Sequence, residues 1–183
     1  YKRKICLPGR PEFFISGNEK IRNRFMTRLK IITISGGHAD VGKTVLAEKL
    51  FKILNGWSGL KVTVMHNGKC PTGKNCGVCN ELDSEFSIIS DKNRLNEKGK
   101  DTQRFKKAGA RKVLWLRAKP EGLKKGLKRA VSMFKGAKGL IIEGTSVLKY
   151  IKPDIAILVK KKGSILKPSA KEMLNKMDLV ITV

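Results

Sequence analysis

The chain has 183 residues, of which 40% are hydrophobic, enough for one domain with a substantial core but too few for two. Its 40 Lys and Arg against 15 Asp and Glu give a formal net charge of +25, which favours an anionic partner such as a nucleotide, a nucleic acid or an anionic cofactor. A Lys-rich surface typical of heat-adapted proteins explains the same charge equally well. No apolar run approaches the roughly 20 residues needed to cross a bilayer, so we expect no membrane partner and a cytoplasmic location.

The first 28 residues show no clear hydrophobic period. Pro8, Gly9, Pro11 and Gly17 interrupt them, and the stretch is rich in Lys and Arg. We therefore predict a basic N-terminal arm at residues 1–28. The core domain is predicted at residues 29–183, and it carries a Cys-rich loop at residues 66–83.

The core begins with the pattern strand, glycine turn, helix. Residues 31–35 are an apolar, β-branched run that is typical of a strand buried on both faces, and Gly36 and Gly37 end it. Apolar residues then recur at helical spacing at Leu46, Ala47, Leu50, Phe51 and Leu54.

Strands and helices continue to alternate along the chain. Further strands are predicted at residues 62–65, 86–89, 113–116, 140–142, 155–159 and 179–183, and helices at 102–108, 123–134 and 169–176. This alternation predicts an α/β fold of three layers, with a mainly parallel sheet flanked by helices on both faces. The helix at 123–134 is expected to turn a basic face outward, with Lys124, Lys125, Lys128 and, just beyond it, Lys135.

The turn after the first strand has the sequence of a phosphate-binding loop. Its eight residues are Gly37, His38, Ala39, Asp40, Val41, Gly42, Lys43 and Thr44. Glycines let backbone amides converge on phosphate oxygens, and the helix N-terminus adds its dipole. Lys43 is expected to reach the β- and γ-phosphates, and Thr44 to offer its hydroxyl to Mg²⁺. The motif therefore predicts a P-loop protein that binds a nucleotide with Mg²⁺.

A P-loop enzyme also needs an acidic residue to hold the metal's water shell or to orient the attacking water. Glu143 directly follows the predicted strand 140–142 and is well placed for this role. Asp101, at a predicted helix start, is the second candidate, although it could equally be a helix-capping residue. Lys43, Asp101 and Glu143 are the predicted catalytic residues.

The combined motifs resemble those of a known family. The phosphate loop, the segment Gly99, Lys100, Asp101, Thr102 with Ala108, Gly109 and Ala110 after it, and the run Ile142, Glu143, Gly144 together resemble the molybdopterin-guanine dinucleotide biosynthesis adapter family (MobB-type). The resemblance covers roughly residues 30–159. It implies Mg²⁺-dependent binding and slow hydrolysis of GTP, a homodimer, and a partner enzyme that attaches a nucleotide to molybdopterin. It also implies that Asp101 and Glu143 both serve the metal and the water.

The loop after the second strand concentrates cysteine. Cys70, Cys76 and Cys79 lie within ten residues, and the last two have the Cys-x-x-Cys spacing of a metal knuckle. His66, Cys6 or a cysteine of a second subunit could supply a fourth ligand for Zn²⁺, and an Fe–S cluster is an alternative. Reduced surface thiols or a transient redox pair of Cys76 and Cys79 are the other interpretations.

One further motif is set aside because of its position. Asn175, Lys176, Met177 and Asp178 spell a guanine-reading signature, but that signature normally follows a strand, whereas here it ends a helix and precedes one. The choice between GTP and ATP therefore depends on the family resemblance.

Three functions follow from these observations. The first is a nucleotide-dependent adapter in molybdenum cofactor assembly. The second is a metallochaperone-like or metal-sensing GTPase that uses the cysteine loop. The third, which is favoured least, is a nucleic-acid-binding ATPase or kinase that uses the basic helix and the arm. Their positive charge suits salt-dependent binding to a polyanion.

Overall fold

One mainly parallel sheet organises the computed structural model of the chain, which describes residues 28–65 and 82–183. Within these ranges the strands are β1 (Lys30–Gly36), β2 (Ser58–Val64), β3 (Phe86–Ile89), β4 (Val113–Ala118), β5 (Gly139–Glu143), β6 (Ile155–Lys160) and β7 (Leu179–Thr182). Their order across the sheet is β3-β4-β2-β5-β1-β6-β7. Every neighbouring pair is parallel except β3 and β4, which are antiparallel.

Helices cover both faces of this sheet. They are α1 (Lys43–Ile53), α2 (Lys92–Leu95), α3 (Asp101–Lys107), α4 (Leu123–Ser132) and α5 (Pro168–Glu172), with 3₁₀ turns at Ser146–Lys149 and Leu174–Lys176. On one face, Phe51 of α1 and Phe105 of α3 pack with ring centroids 5.3 Å apart, above Ile34 and Ile141. On the other face, α4 packs against the sheet through Leu123 and Leu127. The predicted three-layer α/β fold is therefore confirmed.

Two elements differ from the prediction. The second strand starts at Ser58, earlier than the predicted 62, so that Lys61 lies inside it between buried Leu60 and Val62. The helix predicted over 169–176 is wrong in its second half, because α5 ends at Glu172 and a 3₁₀ turn follows. The side chain of Met173 is buried in the core at this break, so tertiary packing outweighs the local helical pattern.

The short helix α2 was not predicted. Asp91 caps it by accepting a hydrogen bond from the Arg94 backbone N–H at 2.9 Å. Only four residues are helical, which is too short for an apolar period to be visible in the sequence.

The basic face of the fourth helix is confirmed as exposed, at Lys124, Lys125, Lys128 and the following Lys135. None of the helices in residues 28–65 and 82–183 combines the length and apolar character needed to span a bilayer. Apart from Arg28, the predicted N-terminal arm lies outside the described residues.

Candidate functional site

The candidate site lies where three adjacent strands end. In a parallel sheet the carboxyl ends of neighbouring strands meet at one edge, and β2, β5 and β1 are neighbours here. Glu143, the last residue of β5, is in register with Ile34 of β1 and with Lys61 of β2. The phosphate loop follows β1 directly, so Glu143 and Lys61 flank its base.

The phosphate loop has the backbone conformation that its glycines suggest. Gly42 has φ of 91° and Asp40 has φ of 52°, both in the left-handed region, which for a non-glycine residue such as Asp40 is uncommon. A Cβ atom at Gly37 would lie 2.9 Å from the end of the Leu166 side chain and 3.2 Å from Cβ of Lys160, so glycine allows the loop to pass close to the β6–α5 connection. The ring atom Nε2 of His38 is buried without a hydrogen-bond partner among the described residues.

Lys43 reaches back along the loop from the first turn of α1. A Cβ atom at Gly36 would lie 2.7 Å from Cδ of Lys43, so glycine makes room for this side chain. Its Nζ donates to the carbonyl oxygen of His38 at 3.4 Å. Burial lowers the pKa of Lys43 below its ordinary value, which attraction from Glu143 only partly offsets.

Thr44 brings the two predicted acids together. Its hydroxyl oxygen lies 2.8 Å from Oδ1 of Asp101 and 3.1 Å from Oε2 of Glu143. A hydroxyl carries one proton, so it can donate to only one of these carboxylates at a time. Asp101 is half-buried, whereas the side chain of Glu143 is only 1% exposed. The side-chain oxygens of Thr44, the predicted Mg²⁺ ligand, and of Asp101 and Glu143, the predicted catalytic acids, therefore lie together.

Lys61 belongs to the same cluster. It was not predicted as a site residue from the sequence. Its Nζ lies 2.5 Å from Oδ2 of Asp101 and 2.6 Å from Oε1 of Glu143. Burial lowers the pKa of Lys61, but attraction to Glu143 and Asp101 outweighs it and the net shift is upward. For Asp101, burial alone would raise the pKa. The positive charge of Lys61 and the hydrogen bonds from Lys61 and Thr44 outweigh burial and hold the pKa of Asp101 below its ordinary value.

The first turn of α3 holds Asp101 in place. Arg104, one turn further on, makes a two-point ion pair with Glu48 of α1, with N···O distances of 2.8 and 2.7 Å. Thr102 is buried and donates to the carbonyl oxygen of Leu95 at 2.9 Å. These contacts fix α3 against α1, so that Asp101 faces Thr44.

A third lysine approaches the loop from the β6–α5 connection. The backbone N–H of Lys167 donates to the carbonyl oxygen of Gly37 at 2.9 Å. Burial lowers the pKa of Lys167, and the positive charges of Lys43 and Lys61 lower it further. No sequence motif pointed to Lys167.

A cavity of about 390 Å³ opens beside these residues. It is lined by Ala39, Asp40, Gly42, Lys43, Thr44, Val45, Lys61, Asp101, Arg104 and Glu143. A larger cavity of about 500 Å³ lies at the opposite edge of the sheet, beside Tyr150, Lys176 and Asp178. There the polar side chains serve the backbone, because Lys176 donates to the Leu148 carbonyl and Asp178 accepts from the Ala156 N–H. We therefore place the candidate site at the smaller cavity.

The position of Asp178 also bears on the guanine signature. Residues 175–178 precede β7 and so lie at the amino ends of the strands, away from the phosphate loop. At this position the motif does not face a nucleotide at the phosphate loop.

The predicted cysteine site lies outside the described residues, as do all of its candidate ligands: Cys70, Cys76, Cys79, His66 and Cys6. Within residues 28–65 and 82–183, no group of three or more His, Cys, Asp or Glu side chains is arranged to hold a metal ion. The phosphate-loop site offers two acids and a hydroxyl, a set that suits Mg²⁺ only together with phosphate and water oxygens.

The chain matches no protein-family model, and no curated protein is similar enough to be matched. The resemblance to the molybdopterin adapter family therefore stays a prediction.

Proposed function

We propose that the chain binds a nucleoside triphosphate with Mg²⁺ at the phosphate loop and hydrolyses it slowly. The observation that carries this proposal is the spacing of the oxygens around Thr44, 2.8 Å to Asp101 and 3.1 Å to Glu143. Ligand oxygens at roughly 2.0–2.1 Å from an octahedral Mg²⁺ are about 2.9 Å from their neighbours, so the hydrogen-bonded spacing of these oxygens is compatible with that ion.

Each residue has a role in this proposal. Thr44 and one or both acids hold the ion or its water shell, and Lys43 neutralises the β- and γ-phosphate oxygens. Backbone N–H groups of the loop and of the first turn of α1 have no partner within the helix and bind phosphate. Bound Mg²⁺ would stabilise the charge that develops on the phosphate oxygens during transfer.

Slow turnover follows from how the acids are engaged. A group that accepts a proton from water needs a free lone pair and must be able to approach the reacting phosphate. Lys61 holds one oxygen of each acid while the other oxygen faces the Thr44 hydroxyl, so the orientation of both carboxylates is fixed. Efficient hydrolysis would need this cluster to rearrange, which is a step that a partner protein could control.

The cellular role rests on the family resemblance alone. It favours GTP over ATP and an adapter function in molybdenum cofactor assembly, with a partner enzyme and a homodimer. The metallochaperone alternative depends on the cysteine loop, and Zn²⁺ or Fe–S binding there stays a prediction.

Phosphate release from GTP and from ATP, with Mg²⁺ or with EDTA, tests the proposal. We expect slow, Mg²⁺-dependent release of phosphate. Lys43→Ala should reduce the rate at least about 100-fold, because the substitution removes the ammonium group that neutralises the phosphate oxygens. Lys49→Ala is the matched control, since Lys49 is an exposed lysine on the same helix. Release that is equal in all three proteins would identify a contaminating enzyme and leave the proposal without support.

A further inference from the structure

Lys61 is unusual for its position in the fold. It lies within a buried strand, its side chain is only 19% exposed, and the flanking Leu60 and Val62 are buried. A buried ammonium is costly unless paired anions and hydrogen bonds compensate it. Here both partners are residues of the proposed magnesium site, at 2.5 Å for Asp101 and 2.6 Å for Glu143.

The contacts divide the carboxylate oxygens into two sets. Oδ2 of Asp101 and Oε1 of Glu143 face Lys61, whereas Oδ1 and Oε2 of the same residues face the hydroxyl of Thr44. Lys61 therefore leaves one oxygen of each acid available on the Thr44 side. It also fixes the orientation of both side chains by holding the other oxygen.

The charges make the site neutral before any ligand binds. Three acids line the cavity, Asp40, Asp101 and Glu143, and three cations balance them, Lys43, Lys61 and Arg104. A free divalent cation thus meets no net attraction, and the nearest ammonium repels it. A divalent cation that binds as its complex with a triphosphate is different, because the complex keeps a net negative charge. That charge interacts favourably with both lysines.

We propose that Lys61 is a built-in cation of the magnesium site, which orients Asp101 and Glu143 and prevents a divalent ion from binding without nucleotide. The inference rests on the proposed function and adds a selectivity rule to it: the metal binds as the metal–nucleotide complex. Lys61 is a positioning residue in this account.

Electron paramagnetic resonance of Mn²⁺ added to nucleotide-free protein tests this rule. We expect Lys61→Met and Lys61→Gln to bind free Mn²⁺ at least about tenfold more tightly than the wild type, because a unit charge beside a divalent ion changes its affinity by at least that factor. Lys61→Arg, which keeps the charge, should remain close to the wild type. The control Lys125→Met removes one positive charge from the exposed face of α4, beside Glu85, and should change nothing.

Two results would overturn the inference. One is Lys61→Met and Lys61→Gln proteins that fold, by circular dichroism, yet bind free Mn²⁺ no more tightly than the wild type. The other needs no substitution, and is tight binding of Mn²⁺ by the nucleotide-free wild type at micromolar metal.

Nucleotide binding is measured separately in the wild type. If GTP and ATP fail to bind while Lys61→Met still gains affinity for Mn²⁺, the proposed function is wrong and the role of Lys61 stands. If nucleotide binds with Mg²⁺ and the Mn²⁺ affinities of wild type and Lys61→Met do not differ, the proposed function stands and the role of Lys61 is wrong.

Discussion

Acidic residues stand at both edges of the sheet, but they bind different kinds of partner. At the amino ends of the strands, Asp154 accepts from the Ile31 N–H at 2.8 Å and Asp178 accepts from the Ala156 N–H at 2.7 Å. The backbone N–H of each aspartate also donates to the carbonyl oxygen of the residue that it caps, at 2.8 Å in both cases. Asp154 also accepts from the exposed Arg28 side chain at 2.8 Å, but it is through these backbone bonds that the two aspartates clasp the starts of neighbouring strands.

At the carboxyl ends, Asp101 and Glu143 bind side chains instead of backbone groups. Their partners are the hydroxyl of Thr44 and the ammonium of Lys61. A side chain can rotate away and exchange for a metal ion or a phosphate, whereas a strand cannot leave its backbone hydrogen bonds without local unfolding. In this fold the partner of an acid, more than its burial, therefore distinguishes the binding site from the structural contacts.

The largest effect on nucleotide binding is expected at the carboxyl edge. Thr44→Val keeps the shape of the side chain but removes the oxygen between the two acids. We expect it to weaken Mg²⁺–nucleotide binding about 10–100-fold, the value of a hydrogen bond or contact to a charged group, and to abolish the difference between Mg²⁺ and EDTA. Calorimetric titration measures both quantities, and a variant whose binding is still strengthened by Mg²⁺ as in the wild type would contradict this role of Thr44.

A smaller effect is expected one step away from the ligand. Glu48→Gln removes the charge that holds Arg104, and with it α3 and Asp101, against α1. Because the pair is partly exposed, we expect only about threefold weaker nucleotide binding. Glu172→Gln is the matched control, since it breaks the 2.9 Å pair with Lys149 at the other edge of the fold. Equal losses in the two variants would mean that Glu48 acts through general stability alone.

No change in nucleotide binding is expected at the amino edge. Asp154→Ala should instead lower the free energy of unfolding by about 1 kcal/mol at neutral pH, because the Ile31 N–H loses its charged acceptor. The hydrogen bond from Ile31 and the one from Arg28 hold the pKa of Asp154 below its ordinary value. A lowered pKa in the folded state contributes stability above the unfolded-state pKa, and that contribution is lost as pH falls through the folded pKa.

The difference between wild type and Asp154→Ala should therefore shrink in acid. Urea unfolding at neutral pH and at low pH measures it. A difference that stays constant down to low pH would argue that the carboxylate charge plays no part in the clasp.

Some of these features are predictable from the sequence and others are not, for physical reasons. The strand–glycine–helix pattern around Lys43 and the acid after β5 are local in the sequence, so both were predictable. Lys61 was missed because the predicted second strand began at Val62, although a lysine between apolar strand residues is itself a signal of a paired, buried charge. Lys167 depends on how the β6–α5 connection packs on Gly37, which is a long-range contact without a local pattern.

The most direct test of the account is calorimetric titration of the wild-type protein with slowly hydrolysed analogues of GTP and ATP, each with Mg²⁺ and with EDTA. The account predicts one nucleotide per chain, with binding strengthened by Mg²⁺ because Thr44, Asp101 and Glu143 complete the ion's ligands only beside the phosphates. Absence of binding by either analogue in Mg²⁺ would contradict it, and the loop at residues 37–44 would then be a glycine turn that joins β1 to α1.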